Sequence, residues 1–203
     1  MLEYAREKYP HDRIVYEYLD IDDNVKAFSK KYGAFQRVYS FKTLHWCRDL
    51  RRSLGSIAQL LAPGGECLLF FTARCFLFET FKELSRLEPW SKYADVLLRG
   101  VPKSHDIFDQ RGQRDYLTSA LSSAGLVPYT AEVLARPLSA RRPAGAFQEL
   151  LEIANPLFSL LGEEERPALL GALSAHLPQW HDRYRKRGAP ILFSWFLVHA
   201  RKP

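Results

Sequence analysis

Two short stretches of this chain place polar and aromatic side chains where a ligand would sit. The first ends in Leu19-Asp20-Ile21, and the second is Ser40 to Trp46, "SFKTLHW". Each falls where a strand is predicted to end. In open α/β sheets, ligands bind outside the carboxyl ends of the strands. Asp20 has two readings there. It is a turn or cap aspartate, or it accepts from an exocyclic amine or hydroxyl of a nucleotide-like ligand. Ser40 and Phe41 close the next strand beside it. His45 is either a packing histidine or a pocket residue, and Trp46 either anchors the following helix or borders a cavity.

Other chemistry finds little support. There is no GxSxG elbow, HExxH pair, P-loop or GxGxxG turn. Pro63-Gly64-Gly65 precedes a predicted strand instead of opening a helix, so it is no phosphate cradle. The six histidines lack ligand spacing; His176 and His181, five apart, do not share a helical face, so no metal is expected.

The elements that position these residues follow from periodicity. Leu2 to Tyr9 is predicted as the end of a helix stopped near Pro10. Arg13 to Ile21, "RIVYEYLDI", alternates and is rich in β-branched and aromatic residues, which predicts a strand. Asp22-Asp23-Asn24 can cap a helix reaching about Tyr32. Phe35 to Phe41 is a second strand. Trp46, Leu50, Leu54, Ile57, Ala58 and Leu61 form one helical stripe, closed by Pro63-Gly64-Gly65. Glu66 to Ala73 is a continuous apolar run that suits a strand buried on both faces. Helices are predicted around Leu77 to Leu87 and Leu117 to Ala124, then a strand from Leu126 to Leu134. A loop over Arg136 to Ala144 and helices around Phe147 to Ala154 and Glu163 to Trp180 come next, and a final strand runs from Pro190 to Ala200. Alternating strands and helices predict a parallel sheet flanked by helices. The helical stretch 137–189 reads as an insertion before the last strand.

Length and composition bound the rest. The chain has 203 residues, so one domain over 1–203 is expected. A hydrophobic content of 47% with 26% charged residues excludes a disordered chain. No apolar run is long enough to span a membrane. The N-terminal "MLEYAREKYPHD" has no secretory pattern. Cys47, Cys67 and Cys75 form no CxxC motif and suggest reduced thiols in a cytoplasmic protein. The net charge of +6 raises nucleic acid as a partner, but the cations are dispersed among acids, so none is expected. Oligomeric state is not legible.

The ordered set "MLEYAREKYP", "LDI", "VYSFKTLHW", "LLAPGGECLLFF" and "KYADVLLRGVPKSH" resembles the S-adenosylmethionine-dependent methyltransferases of the seven-strand class. It is most similar to the juvenile hormone acid methyltransferases of arthropods. The resemblance implies a Rossmann-like α/β sheet of strand order 3-2-1-4-5-7-6, with the helical insertion before its last strand. It implies S-adenosylmethionine as cofactor, with Asp20 and Ile21 facing the adenine and Ser40 and Phe41 beside the methionine part. His45 and Trp46 would border the substrate, a small isoprenoid or fatty acid of the juvenile hormone acid or farnesoic acid type. Trp90, Tyr93 and Phe147 would add apolar wall for its chain. The reaction would be methyl transfer to a carboxylate oxygen. Two alternatives stand beside it: a methyltransferase for another small acid, and a non-catalytic methyltransferase-like binding protein.

The resemblance also implies that strands 1 and 2, the glycine-rich loop and the acidic ribose ligand precede Met1. They would fill the gap between "IVYEYLDI" and "FQRVYSF". Burying one Val, Leu or Ile side chain stabilises a fold by about 1.5–3 kcal/mol. Two absent core strands would therefore cost more than the roughly 5–15 kcal/mol by which a domain is stable. The expectation is that these 203 residues alone fold poorly or rearrange, bind the cofactor weakly or not at all, and are inactive.

Overall fold

The computed structural model describes residues 2–137, 155–186 and 192–203. Four strands form one mixed sheet: β1 (Phe35–Phe41), β2 (Leu61–Arg74), β3 (Val127–Pro137) and β4 (Leu192–Arg201), in the order β1-β2-β4-β3. β1 and β2 are parallel, while β4 runs antiparallel to both β2 and β3. This is the 4-5-7-6 half of the predicted strand order.

The parallel pair needs a crossover, and α3 (Leu50–Leu60) supplies it. Its apolar stripe puts Leu54, Ile57 and Ala58 against Cys67, Leu69 and Phe71 of β2 and Phe196 and Val198 of β4. α6 (Gln110–Ser123) adds Leu117, Ala120 and Leu121 to the same core. Along β4 burial alternates strictly: Ser194, Phe196, Val198 and Ala200 are buried, while Trp195, Leu197 and His199 are half-buried. The helices of this core therefore cover one face of the sheet. Leu68 and Phe70 on the opposite face are half-buried, which corrects the expectation that Glu66 to Ala73 is buried on both sides.

A second core lies past the carboxyl end of β2. α4 (Phe76–Leu84) and α5 (Ala94–Arg99) meet α7 (Glu165–Lys186) there, through Phe78, Phe81, Leu97, Leu169, Leu173 and Trp180. Trp90 is buried in this cluster and Tyr93 packs on its border. Pro167 sits in the first turn of α7, where a proline is tolerated, whereas Pro178 lies inside it. The predicted helix over Phe147 to Ala154, and most of the predicted loop after Arg136, lie outside the described residues.

Two sequence expectations fail locally. Arg13 to Ile21 is not a strand. A strand exists by backbone pairing, and no described strand lies beside this segment. Side chains bracket it instead: Arg6 Nη2 donates to the Tyr16 carbonyl (2.7 Å), and Tyr32 Oη and Lys31 Nζ donate to Glu17 (2.6 and 2.9 Å). Ile14, Val15 and Tyr18 are consequently exposed. The second failure is the start of α3, since Trp46 belongs to a separate 3-10 turn, Leu44–Trp46. The helix begins after Asp49, whose carboxylate accepts from the backbone N–H groups of Arg51 (2.9 Å) and Arg52 (3.2 Å).

Pro63-Gly64-Gly65, expected to precede this strand, lies within β2 instead, where its register with β1 is irregular. Gly64 has φ +72°, and a Cβ on Gly65 would lie 2.9 Å from the carbonyl oxygens of both Ala62 and Phe35. The glycine lets β1 close on β2. We predict that Gly65→Ala destabilises the fold by about 1–3 kcal/mol, as overpacked sites do. Gly55→Ala, in mid-helix with open space around its Cβ, should stabilise by about 0.5–1 kcal/mol. Urea denaturation of both variants measures the contrast.

Candidate functional site

The chain leaves β1 through Lys42, whose φ of +57° is unusual for a residue with a Cβ. Its N–H donates to the Phe70 carbonyl on β2 (2.7 Å), and its ammonium lies 4.8 Å from the ring centre of Phe70 and 5.3 Å from that of Trp195. The strand is thus broken at a fixed point, and the Leu44–Trp46 turn follows at the carboxyl edge. Leu44 is buried there and secures the turn to the main core.

Asp22 joins this turn to the earlier one. It is buried, and its Oδ1 accepts from Ser53 Oγ of α3 (2.7 Å) while its Oδ2 accepts from the Arg48 backbone N–H (2.9 Å). The Arg48 guanidinium approaches the same carboxylate (3.7 Å). Asp22 N–H in turn donates to Asp20 Oδ1 (2.9 Å). Residues 20–22 and 44–53 are therefore one bonded unit.

A cavity of about 290 Å³ opens beside that unit. Leu44, Leu50, Phe71 and Val101 supply apolar wall; Thr72, Ser104 and Tyr116 supply hydroxyls. Arg48, Arg99 and Lys103 also line it, and among the described residues no carboxylate does. Burial sets the protonation of its neutral groups. It pushes His45 down to about 4, helped by the nearby Lys42 ammonium, so the imidazole is neutral at pH 7. It pushes the Cys47 thiol up to about 11, which leaves no thiolate nucleophile. Burial also raises the Tyr116 phenol.

Aromatic rings connect the turn to the second core. The rings of His45 and Trp46 are 4.8 Å apart, and both face Phe78 of α4, at 6.1 and 6.0 Å. Phe78 also meets His105 at 5.7 Å. The buried His105 bonds Glu79 through Nε2 (2.9 Å), while Arg74 donates to the His105 carbonyl and Ser104 Oγ donates to the Ala73 carbonyl (2.7 Å). This network fixes the segment that forms the far wall of the cavity.

The residues expected at the site are placed as follows. Asp20 spends Oδ1 on the turn; Ile21 packs against the main core. Ser40 pairs opposite Leu69, and Phe41 is 55% exposed and stacked on Tyr39. His45 lines the cavity. Trp46 is not among its lining residues and is 38% exposed, on the side of Phe78. The sequence reading missed Asp22 as a joint, because it resembles an ordinary helix cap. It also missed Lys42, whose left-handed backbone leaves no mark in the residue type. Arg48 carries no sequence signal that sets it apart from the other dispersed cations.

Comparison with known proteins places this geometry. Residues 1–69 match the family described as a methyltransferase domain. The juvenile hormone acid O-methyltransferase of Bombyx mori is 34% identical over 106 residues, covering 52% of this chain and 37% of that protein. The Drosophila melanogaster protein of the same name is 37% identical over 135 residues, covering 66% of this chain and 44% of that protein. The chain thus spans less than half the length of these curated relatives. Among solved structures, the [4+2]-cyclase SpnF aligns over 99% of this chain and 60% of its own, with a TM-score of 0.52 and 19% identity. A candidate methyltransferase from Bacillus halodurans aligns over 100% of this chain and 78% of its own, also with a TM-score of 0.52, at 17% identity. The fold is the Rossmann-like one of methyltransferases.

Two predictions follow from the joint and the turn. Asp22→Ala leaves the Arg48 N–H without its acceptor and the Ser53 hydroxyl with only the Asp49 carbonyl (2.9 Å), and should cost about 1–3 kcal/mol, with a shift in Trp46 fluorescence; Asp22→Asn, which keeps one acceptor oxygen, should lose less. His45 binds its proton less readily in the folded chain than at its ordinary 6.5. Its contribution to stability should therefore decline as pH falls from about 6.5 and level off below about 4. NMR titration of the His45 ring checks the first half of that statement, and urea melts across the same range check the second.

Proposed function

We propose that this relative of the S-adenosylmethionine-dependent methyltransferases contributes the carboxyl-edge half of a site for methyl transfer to the carboxylate of a small isoprenoid or fatty acid. One observation carries the reading: Asp22 binds the Asp20–Ile21 turn to the Leu44–Trp46 turn, so both face one edge of the sheet. The similarity to juvenile hormone acid O-methyltransferases supports the acceptor class.

The residues present fit one side of the methyl donor. Asp20 Oδ2 is left to accept from an adenine amine, because Oδ1 already holds Asp22 N–H. Ile21 offers an apolar contact, and the exposed ring of Phe41 closes the strand end beside Ser40. Bound there, S-adenosylmethionine would supply an electrophilic methyl group on a sulfonium. Trp46 and His45 would then border the acid. The indole, exposed on one side and braced by Phe78 on the other, offers a flat apolar wall that excludes water.

No residue need act as a base. A carboxylate is already ionised at neutral pH, so the acceptor oxygen arrives competent. His45 held near 4 and Cys47 near 11 carry no charge that would repel or compete with it. The rate then rests on placement and on the exclusion of water; such orientation can supply about 7–11 kcal/mol. In this reading the residues named here meet the adenine and methionine ends of the donor and make no contact with its ribose.

Saturation-transfer NMR with S-adenosylhomocysteine tolerates weak binding and tests this reading. Adenine protons should saturate more strongly than ribose protons, and Asp20→Ala should remove most of the adenine signal. Equal saturation of both parts, or an adenine signal indifferent to Asp20→Ala, would sink the assignment.

A further inference from the structure

The cavity behind the Leu44–Trp46 turn has an unbalanced charge that the methyl-transfer reading does not use. Three cations line it. Arg48 is compensated by Asp22 at 3.7 Å, and Lys103 by Asp49 at 3.8 Å. Arg99, at the last turn of α5, has no acidic partner among the described residues. One unit of positive charge is left over among the described residues that line the cavity, beside the apolar side chains of Leu44, Leu50 and Phe71.

The walls narrow the ligand further. Leu44, Leu50 and Phe71 are buried side chains of the main core, and they present hydrocarbon to the inside. The hydroxyls of Thr72 and Tyr116 lie among them, and Tyr116 remains a neutral donor because burial raises its phenol. A volume of about 290 Å³ stands at the small end of ligand sites, which run from about 300 to 1,000 Å³. A guanidinium presents a planar fork that matches a carboxylate. A dianionic phosphate would bring one negative charge more than the surplus can balance.

We infer that this cavity binds a compact amphipathic carboxylate, with Arg99 as its counter-charge and Leu44, Leu50 and Phe71 around its hydrocarbon end. The site adjoins the acceptor edge: His45 lines the cavity, whereas Trp46 is not among its lining residues. The two share the Leu44–Trp46 turn, so occupancy of one bears on the position of the other. The source of the carboxylate is either the acceptor acid itself, bound a second time, or a separate small acid.

Octanoate is the probe, with octanol and octyl phosphate as its neutral and dianionic counterparts. Titrated into the full 203-residue chain and followed by amide NMR, octanoate should shift Leu44, Val101 and Tyr116. Octanol should bind at least tenfold more weakly, and octyl phosphate no more tightly than octanoate. Arg99→Ala should weaken octanoate at least tenfold and Arg99→Lys by less, since charge is kept and the fork is lost. Trp46→Phe should leave the octanoate shifts in place. Equal affinity for octanol, tighter binding of octyl phosphate, or an Arg99→Ala variant with unchanged affinity would each overturn the assignment. Shifts confined to Trp46 and its neighbours would do so too, while leaving the methyl-transfer reading intact. Conversely, octanoate bound at Arg99 in a chain that shows no adenine saturation would retain this site and remove the other. Competition by a methylatable acid such as farnesoic acid for the same shifts identifies the acceptor as the source; its failure to compete identifies a separate acid.

Discussion

A single buried carboxylate holds the carboxyl edge of this protein together. Asp22 is shielded from water, and burying a charge is costly unless hydrogen bonds replace its hydration. Here the replacements come from distant parts of the chain: a hydroxyl on α3 and a backbone N–H just ahead of that helix, with a guanidinium at longer range. Each donor satisfies the carboxylate only if the N-terminal segment, the Leu44–Trp46 turn and the crossover helix keep their mutual positions. The geometry of the edge is therefore enforced by the cost of misplacing one charge. Apolar contacts alone would tolerate sliding; directed bonds of 2.7 and 2.9 Å do not.

β2 extends that constraint to the second layer. Its inner residues, Cys67, Leu69, Phe71 and Ala73, belong to the main core, and Cys75 and Phe76 immediately beyond it belong to the second. One strand thus anchors both. The polar network of Ser104, His105, Glu79 and Arg74 lies at the seam, where backbone carbonyls released by the end of the strand would otherwise be buried unpaired. Burial lowers the His105 basicity, and its bond to Glu79 works in the opposite sense. The cavity sits between the two layers, walled by rigid groups of both.

Much of this architecture was legible because periodicity reports burial. The strand Phe35–Phe41 was placed to the residue, and the helices around Leu77 and Leu117 stand where their stripes put them. Arg13 to Ile21 failed for a reason outside its own residues. Alternation records a preference for an extended chain with one covered side, while a strand also needs a partner, and none of the described strands is beside it. Trp46 failed differently: it fits the stripe of α3 by spacing, but Asp49 captures the first free N–H groups and starts the helix at Leu50. The site was less legible than the fold. Left-handed backbone at Lys42, a charge balance at Arg99 and a cap-like aspartate that works as a joint are all consequences of three-dimensional pairing.

The chemistry of the site is consistent with its lack of reactive groups. Under methyl transfer to a carboxylate, a nucleophile or strong base near the acceptor would be a competitor for an electrophilic methyl group. Burial answers this in two ways near the edge: it keeps the Cys47 thiol protonated, and it lowers the basicity of the His45 imidazole. Of the cations that line the cavity, Arg48 and Lys103 are matched by acids, and Arg99 has no acidic partner among the described residues. Under that reading, an acid approaching this surface would be drawn by the surplus at Arg99 and would then meet hydrocarbon, at Leu44, Leu50 and Phe71 of the cavity and, across one short turn, at the indole of Trp46.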